Sequence, residues 1–327
     1  MPQTDIQDQR MTETSDAEHR GICHMMYKAN SCNTLPNYYL HAENRPEYAN
    51  SVITFVHIAK TGGDSMRKCL SNLASIRGRP VPFSVGFNNY CSVVLNHKTN
   101  GSYVIDSDII MGHRAFGMCD LLRESRFNQK RCSYFTILRD PFERMVSHYF
   151  YLRQAAASST LISPSAIMSL KMSIKEWTLY QGSEMQNKLF LTGEIGKHPN
   201  GSHFCQGVSL LPISRFRDEK FMEDILSNID RHFGVIGLTS EYLKTLQMLQ
   251  RAYQLPFYDV CKEFAINKGD YNSTEDVARK KVKEEAIMTL KNDAEIRQLL
   301  HLDIKLYEKA KQIFNEQSRV MEDINKD

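Results

Sequence analysis

From Ser51 almost to the C-terminus, short apolar runs rich in β-branched residues alternate with stretches in which apolar positions recur every three or four residues. The runs read as strands at 52–58, 103–110, 133–138 and 233–238. The spaced stretches read as amphipathic helices. In 65–75, Met66, Cys69, Leu70, Leu73 and Ala74 fall at i, i+3, i+4, i+7 and i+8, and in 141–153 Phe142, Met145, Val146, Tyr149 and Phe150 repeat that spacing. Further helices are expected at 166–180, 184–191, 219–230, 240–254, 274–292 and 295–317. Such alternation predicts an α/β fold with a central parallel sheet and helices on both faces.

No Pro/Gly/Ser linker interrupts this pattern, so 48–318 reads as a single domain. It is preceded by a polar, loosely packed arm over 1–47 and followed by a short tail over 319–327. The 327 residues suffice for one large core. A net charge of +3 is too small to argue for nucleic acid as a partner. No window approaches the roughly 18 consecutive apolar residues of a membrane span, and the first residues lack the hydrophobic region of a signal peptide. Eight cysteines occur without a CxxC pair, which argues against a zinc ribbon. Cys69, on the apolar face of a helix, and Cys132, at the start of a strand, read as buried thiols rather than bridges. Sequons at Asn100, Asn200 and Asn272 would suit a secretory lumen, although about two arise by chance at this composition.

The stretch VITFVHIAKTGGDSMRKCL (52–70) carries chemistry. A strand that ends in a glycine pair and reopens as a helix can hold an anion, because the helix start offers unbonded N–H groups and partial positive charge. Lys60 adds a full charge; Thr61 and Ser65 add hydroxyls. A plain β–α turn in which Gly62 and Gly63 only supply geometry is the alternative. The G-x-x-x-x-G-K-[ST] loop of ATPases does not fit, since lysine here precedes the glycines.

A second stretch, YFTILRDPFERMVSHYFYLR (134–153), repeats the arrangement. Arg139 stands at the end of a strand, and Asp140 as N-cap with Pro141 at the first helical position starts the helix. Arg139 would then share a sheet edge with Lys60, where α/β folds bind ligands, or pair with Asp140 or Glu143. Ser147 follows in the helix.

Together the two stretches resemble the sulfotransferases that use 3′-phosphoadenosine-5′-phosphosulfate (PAPS), and more narrowly the Golgi carbohydrate O-sulfotransferases related to the heparan sulfate and uronyl 2-O enzymes. FVHIAKTGGDS is similar to their 5′-phosphosulfate loop and ILRDPFERMVSHYF to their 3′-phosphate strand and helix. Weaker similarities run through FGVIGLTSEYLKTLQML, INKGDYNSTED and LDIKLYEKAKQIF, so the resemblance covers about 51–317. It implies a P-loop-like three-layer αβα fold, PAPS as donor substrate, no metal, and a Golgi lumenal site of action, where the family sits behind a membrane anchor that this chain does not display. A cytoplasmic protein acting on a small hydroxylated metabolite is the alternative. By the resemblance, Lys60, Thr61, Gly62, Gly63, Asp64 and Ser65 hold the phosphosulfate, and Arg139 with Ser147 the 3′-phosphate. Asp64 departs from the family's Thr or Ser. Its carboxylate would repel a dianion unless it turns outward, for instance to cap the helix.

Sulfuryl transfer to a hydroxyl needs a base for the acceptor proton and a cation for the charge growing on the leaving phosphate. Lys60 suits the second role. His113, after the strand expected at 103–110, is the candidate base, and the family carries a Gly-His at a similar place. His57 reads as core, and His148 as a neighbour of Ser147. An acidic glycan acceptor would be met by Arg114, Lys188, Arg215 and Arg217. A Mg²⁺-dependent kinase, or a sulfotransferase-like protein that binds nucleotide without turnover, are the rival readings.

Overall fold

The computed structural model describes residues 34–76, 82–85, 107–113, 118–119, 130–161, 163–182, 191–197, 203–209, 226–264 and 274–324, with single residues 223 and 326. Its centre is a five-stranded sheet, all parallel, flanked by helices in a three-layer α/β arrangement. The strands are β1 (Val52–Val56), β2 (Phe83–Val85), β3 (Ile109–Gly112), β4 (Cys132–Leu138) and, after an antiparallel hairpin of β5 (Leu191–Lys197) and β6 (His203–Ser209), β7 (Val235–Leu238). They run side by side in the order β2-β3-β1-β4-β7. Parallel strands covered on both faces carry no alternation, and β1, β3, β4 and β7 are accordingly buried at every position.

Pairing aligns the carboxyl ends. Val56 of β1 lies opposite Gly112 of β3 on one side and Thr136 of β4 on the other, and Leu138 of β4 lies opposite Leu238 of β7. The chain leaves β3 for β4 across the central β1, so the order reverses there. A crevice at such a reversal, outside the carboxyl ends, is where open α/β sheets receive ligands.

The helices are α1 (Gly63–Ile76), α2 (Pro141–Ala157), α3 (Pro164–Lys171), α4 (Ile174–Gln181), α5 (Tyr242–Tyr253), α6 (Phe257–Cys261), α7 (Thr274–Asn292), α8 (Ala294–Leu299) and α9 (His301–Ile324). Helix α1 buries Met66, Cys69, Leu70, Leu73 and Ala74, the stripe its spacing predicts. One core joins the sheet with α1, α5, α6 and α9. A second gathers α2, α3, α4, α7 and α8 around Trp177, whose indole N–H donates to the Ser165 carbonyl at 3.0 Å.

Several expectations are revised. The helix expected over 166–180 is two helices, because Ser173 and Glu176 form a capping box that starts α4 afresh. The strand expected at 103–110 is seen at Ile109–Gly112, with 103–106 outside the described residues. Residues 184–190 and half of 219–230 also fall outside them, while Leu191 opens β5. Residues 34–47, expected to belong to a loose arm, are packed together with the residues that follow them. Thr34 bridges to Cys132, Leu35 and Tyr48 are fully buried, and Asn37 donates to Gln317 at 2.7 Å. At the other end α9 continues to Ile324, with Met321 buried.

The cysteines differ most. Cys69 is bonded to Cys261 and Cys119 to Cys132, so neither Cys69 nor Cys132 is a thiol. An apolar helix face is compatible with either state, and pairing depends on partners that spacing alone does not reveal. Among the described residues no helix is long and apolar enough to cross a membrane.

Candidate functional site

The site is built where β1 ends. Lys60 and Gly62 both adopt positive φ, 70° and 88°, which turns the chain sharply before α1 begins at Gly63. Glycine accepts that conformation without strain; lysine does so at a cost, as residues at functional turns often do. The N–H and hydroxyl of Thr61 both point to the Ile58 carbonyl, at 3.4 and 2.9 Å, so this buried side chain holds the turn. Met66 N–H closes the first helical turn on the Gly62 carbonyl at 3.1 Å. The N–H groups before it form the unbonded start of the helix.

Gly63 is required for a second reason. A Cβ there would fall 1.7 Å from Nε2 of His57, so the imidazole lies directly against the glycine backbone. His57 is buried, as its place after β1 predicts, and stacks on Phe55 with ring centres 5.6 Å apart. Burial, then the charge of His113 and Arg67, pushes its pKa down to about 3. It is a neutral wall beneath the turn.

Asp64 turns outward. It does not cap α1; it pairs with Arg67 one turn on, and both are more than half exposed. Although burial pushes its carboxyl up, the Arg67 hydrogen bond and charge, with Lys60, hold it below the usual range. Ser65 is buried in the first turn of α1.

Arg139 follows β4, next to β1. Its Nη1 donates to the Lys60 carbonyl at 3.5 Å and its Nε to Glu143 at 3.3 Å. The two cationic strand ends are therefore joined, and the ion pair with Glu143 forms as well. Asp140 caps α2 by accepting from the N–H groups of Phe142 and Glu143, both at 3.0 Å. Lys60 Nζ lies 4.0 Å from the centre of the Tyr151 ring on α2. Ser147, one turn before Tyr151, is half-buried on the same face of that helix. Burial lowers the Lys60 ammonium pKa; Asp64 opposes this, while Arg139 and Lys283 add to it.

On the other side of β1, His113 follows β3. Its ring stacks on His57 with centres 4.2 Å apart, and its Nδ1 lies 2.9 Å from the His57 carbonyl oxygen. A carbonyl only accepts, so Nδ1 carries a proton, and in the neutral form of the ring Nε2 is the basic atom. The ring is solvent-exposed.

Along one sheet edge the order is thus His113, Lys60 with its turn, Arg139, and then Tyr242 at the start of α5 after β7. Tyr151 and Tyr242 were not anticipated. Tyr151 was legible as the i+4 neighbour of Ser147, whereas Tyr242 approaches through the fold alone. His148 meets Trp177 edge-on, ring centres 5.4 Å apart, and belongs to the second core. Arg114, Lys188, Arg215 and Arg217 lie outside the described residues, as do the three sequons. Compared with models of protein families and with curated proteins, the chain matches none.

Proposed function

We propose that this protein is a PAPS-dependent O-sulfotransferase that moves the sulfuryl group to a hydroxyl of a glycan. The observation that carries the reading is the order of groups along the sheet edge, a histidine whose Nδ1 is bonded to a backbone carbonyl, a glycine turn with lysine before a helix, and an arginine joined to that turn. An acceptor hydroxyl, a 5′-phosphosulfate and a 3′-phosphate need those three kinds of group in that sequence.

In this reading the start of α1 and Lys60 hold the phosphosulfate, and Arg139 takes the 3′-phosphate, exchanging its exposed Glu143 partner for a dianion that its planar fork fits better. Ser147 supplements it. His113 Nε2 accepts the acceptor's proton as the hydroxyl oxygen attacks sulfur; the sulfur–oxygen bond to phosphate breaks, and the leaving 3′,5′-bisphosphate keeps the electron pair beside Lys60. Lys60 meets the charge that grows there, and a depressed pKa leaves it able to share its proton. Asp64, paired with Arg67, adds little repulsion.

The two disulfides among the described residues support an oxidising compartment such as the Golgi lumen, and so a lumenal glycan over a cytosolic metabolite. The test is thermal denaturation with adenosine 3′,5′-bisphosphate, adenosine 5′-phosphosulfate, or ATP with Mg²⁺, followed by transfer of labelled sulfate from PAPS to a glycan panel. Selective stabilisation by the bisphosphate together with transfer is expected. Stabilisation by ATP alone would reject the reading in favour of a kinase; bisphosphate binding without transfer to any acceptor would reject turnover.

A further inference from the structure

Tyr242 opens α5, two strands away from the turn, yet its side chain reaches past the end of β4 to that turn. A Cβ on Gly62 would meet its Cε2 at 3.7 Å, and Cε2 is the ring carbon next to the one bearing the hydroxyl. The hydroxyl end therefore abuts the one glycine whose positive φ shapes the loop. The ring is half-buried, but the oxygen itself is shut off from solvent and has no hydrogen-bond partner among the described residues.

That condition is unusual. Buried hydroxyls are nearly always bonded, and one left unbonded costs stability in the free protein. Tyr39 follows the rule by donating to the Met248 carbonyl at 2.8 Å, and Tyr253 bonds Ser133 at 2.8 Å; Tyr48, deep in the core, is the other tyrosine whose buried hydroxyl has no partner among the described residues. Of these two, Tyr242 is the one that lies against the glycine turn before α1.

We propose that the Tyr242 hydroxyl is a further ligand-binding group, which donates a hydrogen bond to a phosphate-type oxygen of the anion held at the Lys60–Ser65 turn. It rests on the anion-site part of the proposed function and adds a residue from the fourth strand end of the sheet edge. The hydroxyl is already out of water, so the new bond replaces no hydration once the bound anion displaces the atoms that cover it. Burial raises the phenol's pKa, which keeps it a donor throughout the working range. A hydroxyl serves here where a third cation would crowd Lys60 and Arg139.

The test compares the protein with Tyr242→Phe, which removes only the oxygen. Titration calorimetry with inorganic pyrophosphate and with adenosine 3′,5′-bisphosphate measures affinity, and thermal denaturation without ligand measures what the hydroxyl does for the fold. The proposal expects binding weakened about ten-fold or more, with an unliganded Tm equal to or above that of the parent. A bond inside the fold would give the opposite pattern, a lower Tm and unchanged affinity, and would overturn the proposal. So would equal affinities with equal Tm. Should the parent bind pyrophosphate but not the bisphosphate, the sulfotransferase reading fails while Tyr242 is still judged on pyrophosphate; should it bind neither, both fail.

Discussion

The imidazole of His113 lies on that of His57, ring centres 4.2 Å apart and 27° from parallel, while its Nδ1 meets the backbone oxygen of the same residue at 2.9 Å. One residue thus sets both the plane and the tautomer of the other. His57 can do so because Gly63 leaves room for its ring beneath the turn. The Lys60–Ser65 turn and the His113 ring share a support.

A base held in this way should be separable from donor binding. His113→Ala is expected to lower sulfate transfer about 10²- to 10⁴-fold while leaving the affinity for adenosine 3′,5′-bisphosphate within two-fold, as single-turnover assays and calorimetry would show. Transfer at the parent rate would place the base elsewhere.

Arg139→Ala should weaken binding of adenosine 3′,5′-bisphosphate by roughly ten- to a hundred-fold, yet change binding of adenosine 5′-phosphosulfate, which lacks the 3′-phosphate, far less. Stability should hardly change, because the pair with Glu143 is partly exposed and such pairs contribute about 0–1 kcal/mol. Equal losses for both nucleotides would remove the 3′-phosphate role.

The buried His57 makes stability depend on acidity. Its pKa near 3 in the fold lies below the ordinary value of 6.5, so the unfolded chain takes up the proton first. Its contribution is complete above pH 6.5 and is lost as the pH falls toward 3, at a slope of at most about 1.4 kcal/mol per unit. Denaturant titrations at pH 5 and 7 should show a smaller pH effect in His57→Phe, which keeps an aromatic ring against Phe55; an identical pH effect would show that His57 does not titrate on unfolding.

Removing the Cys69–Cys261 bond as Cys69→Ala/Cys261→Ala should cost about 2–5 kcal/mol of unfolding free energy, and a non-reduced digest of the parent should yield one peptide pair carrying both residues. Two free thiols at these positions would refute the bond.

Those expectations rest on features of uneven legibility. Helices α1 and α2 were readable because their stripes of apolar residues follow the helical period, and Asp140-Pro141 marks a start by local chemistry alone. The hairpin of β5 and β6 was not, since Gly193 and Gly196 interrupt any period-2 signal that pairing would otherwise leave in Leu191–Lys197. Ser173 and Glu176 carried a readable cap inside what the apolar spacing merges into one helix. Within the site, Lys60 and Arg139 could be placed because each ends a strand. The tautomer of His113, the outward turn of Asp64 and the approach of Tyr242 each depend on a neighbour distant in sequence, and no local pattern encodes those.

Cys69 and Cys261 are 192 residues apart, and the first lies in the helix that opens from the Lys60–Gly63 turn. During synthesis Cys69 is made long before its partner, since chains fold from the N-terminus as they emerge. The turn can take shape early, but its covalent brace to α6 waits until most of the polypeptide exists. A chain that stops short of Cys261 therefore carries an unbraced loop and an unpaired sulfur open to exchange with the wrong partner.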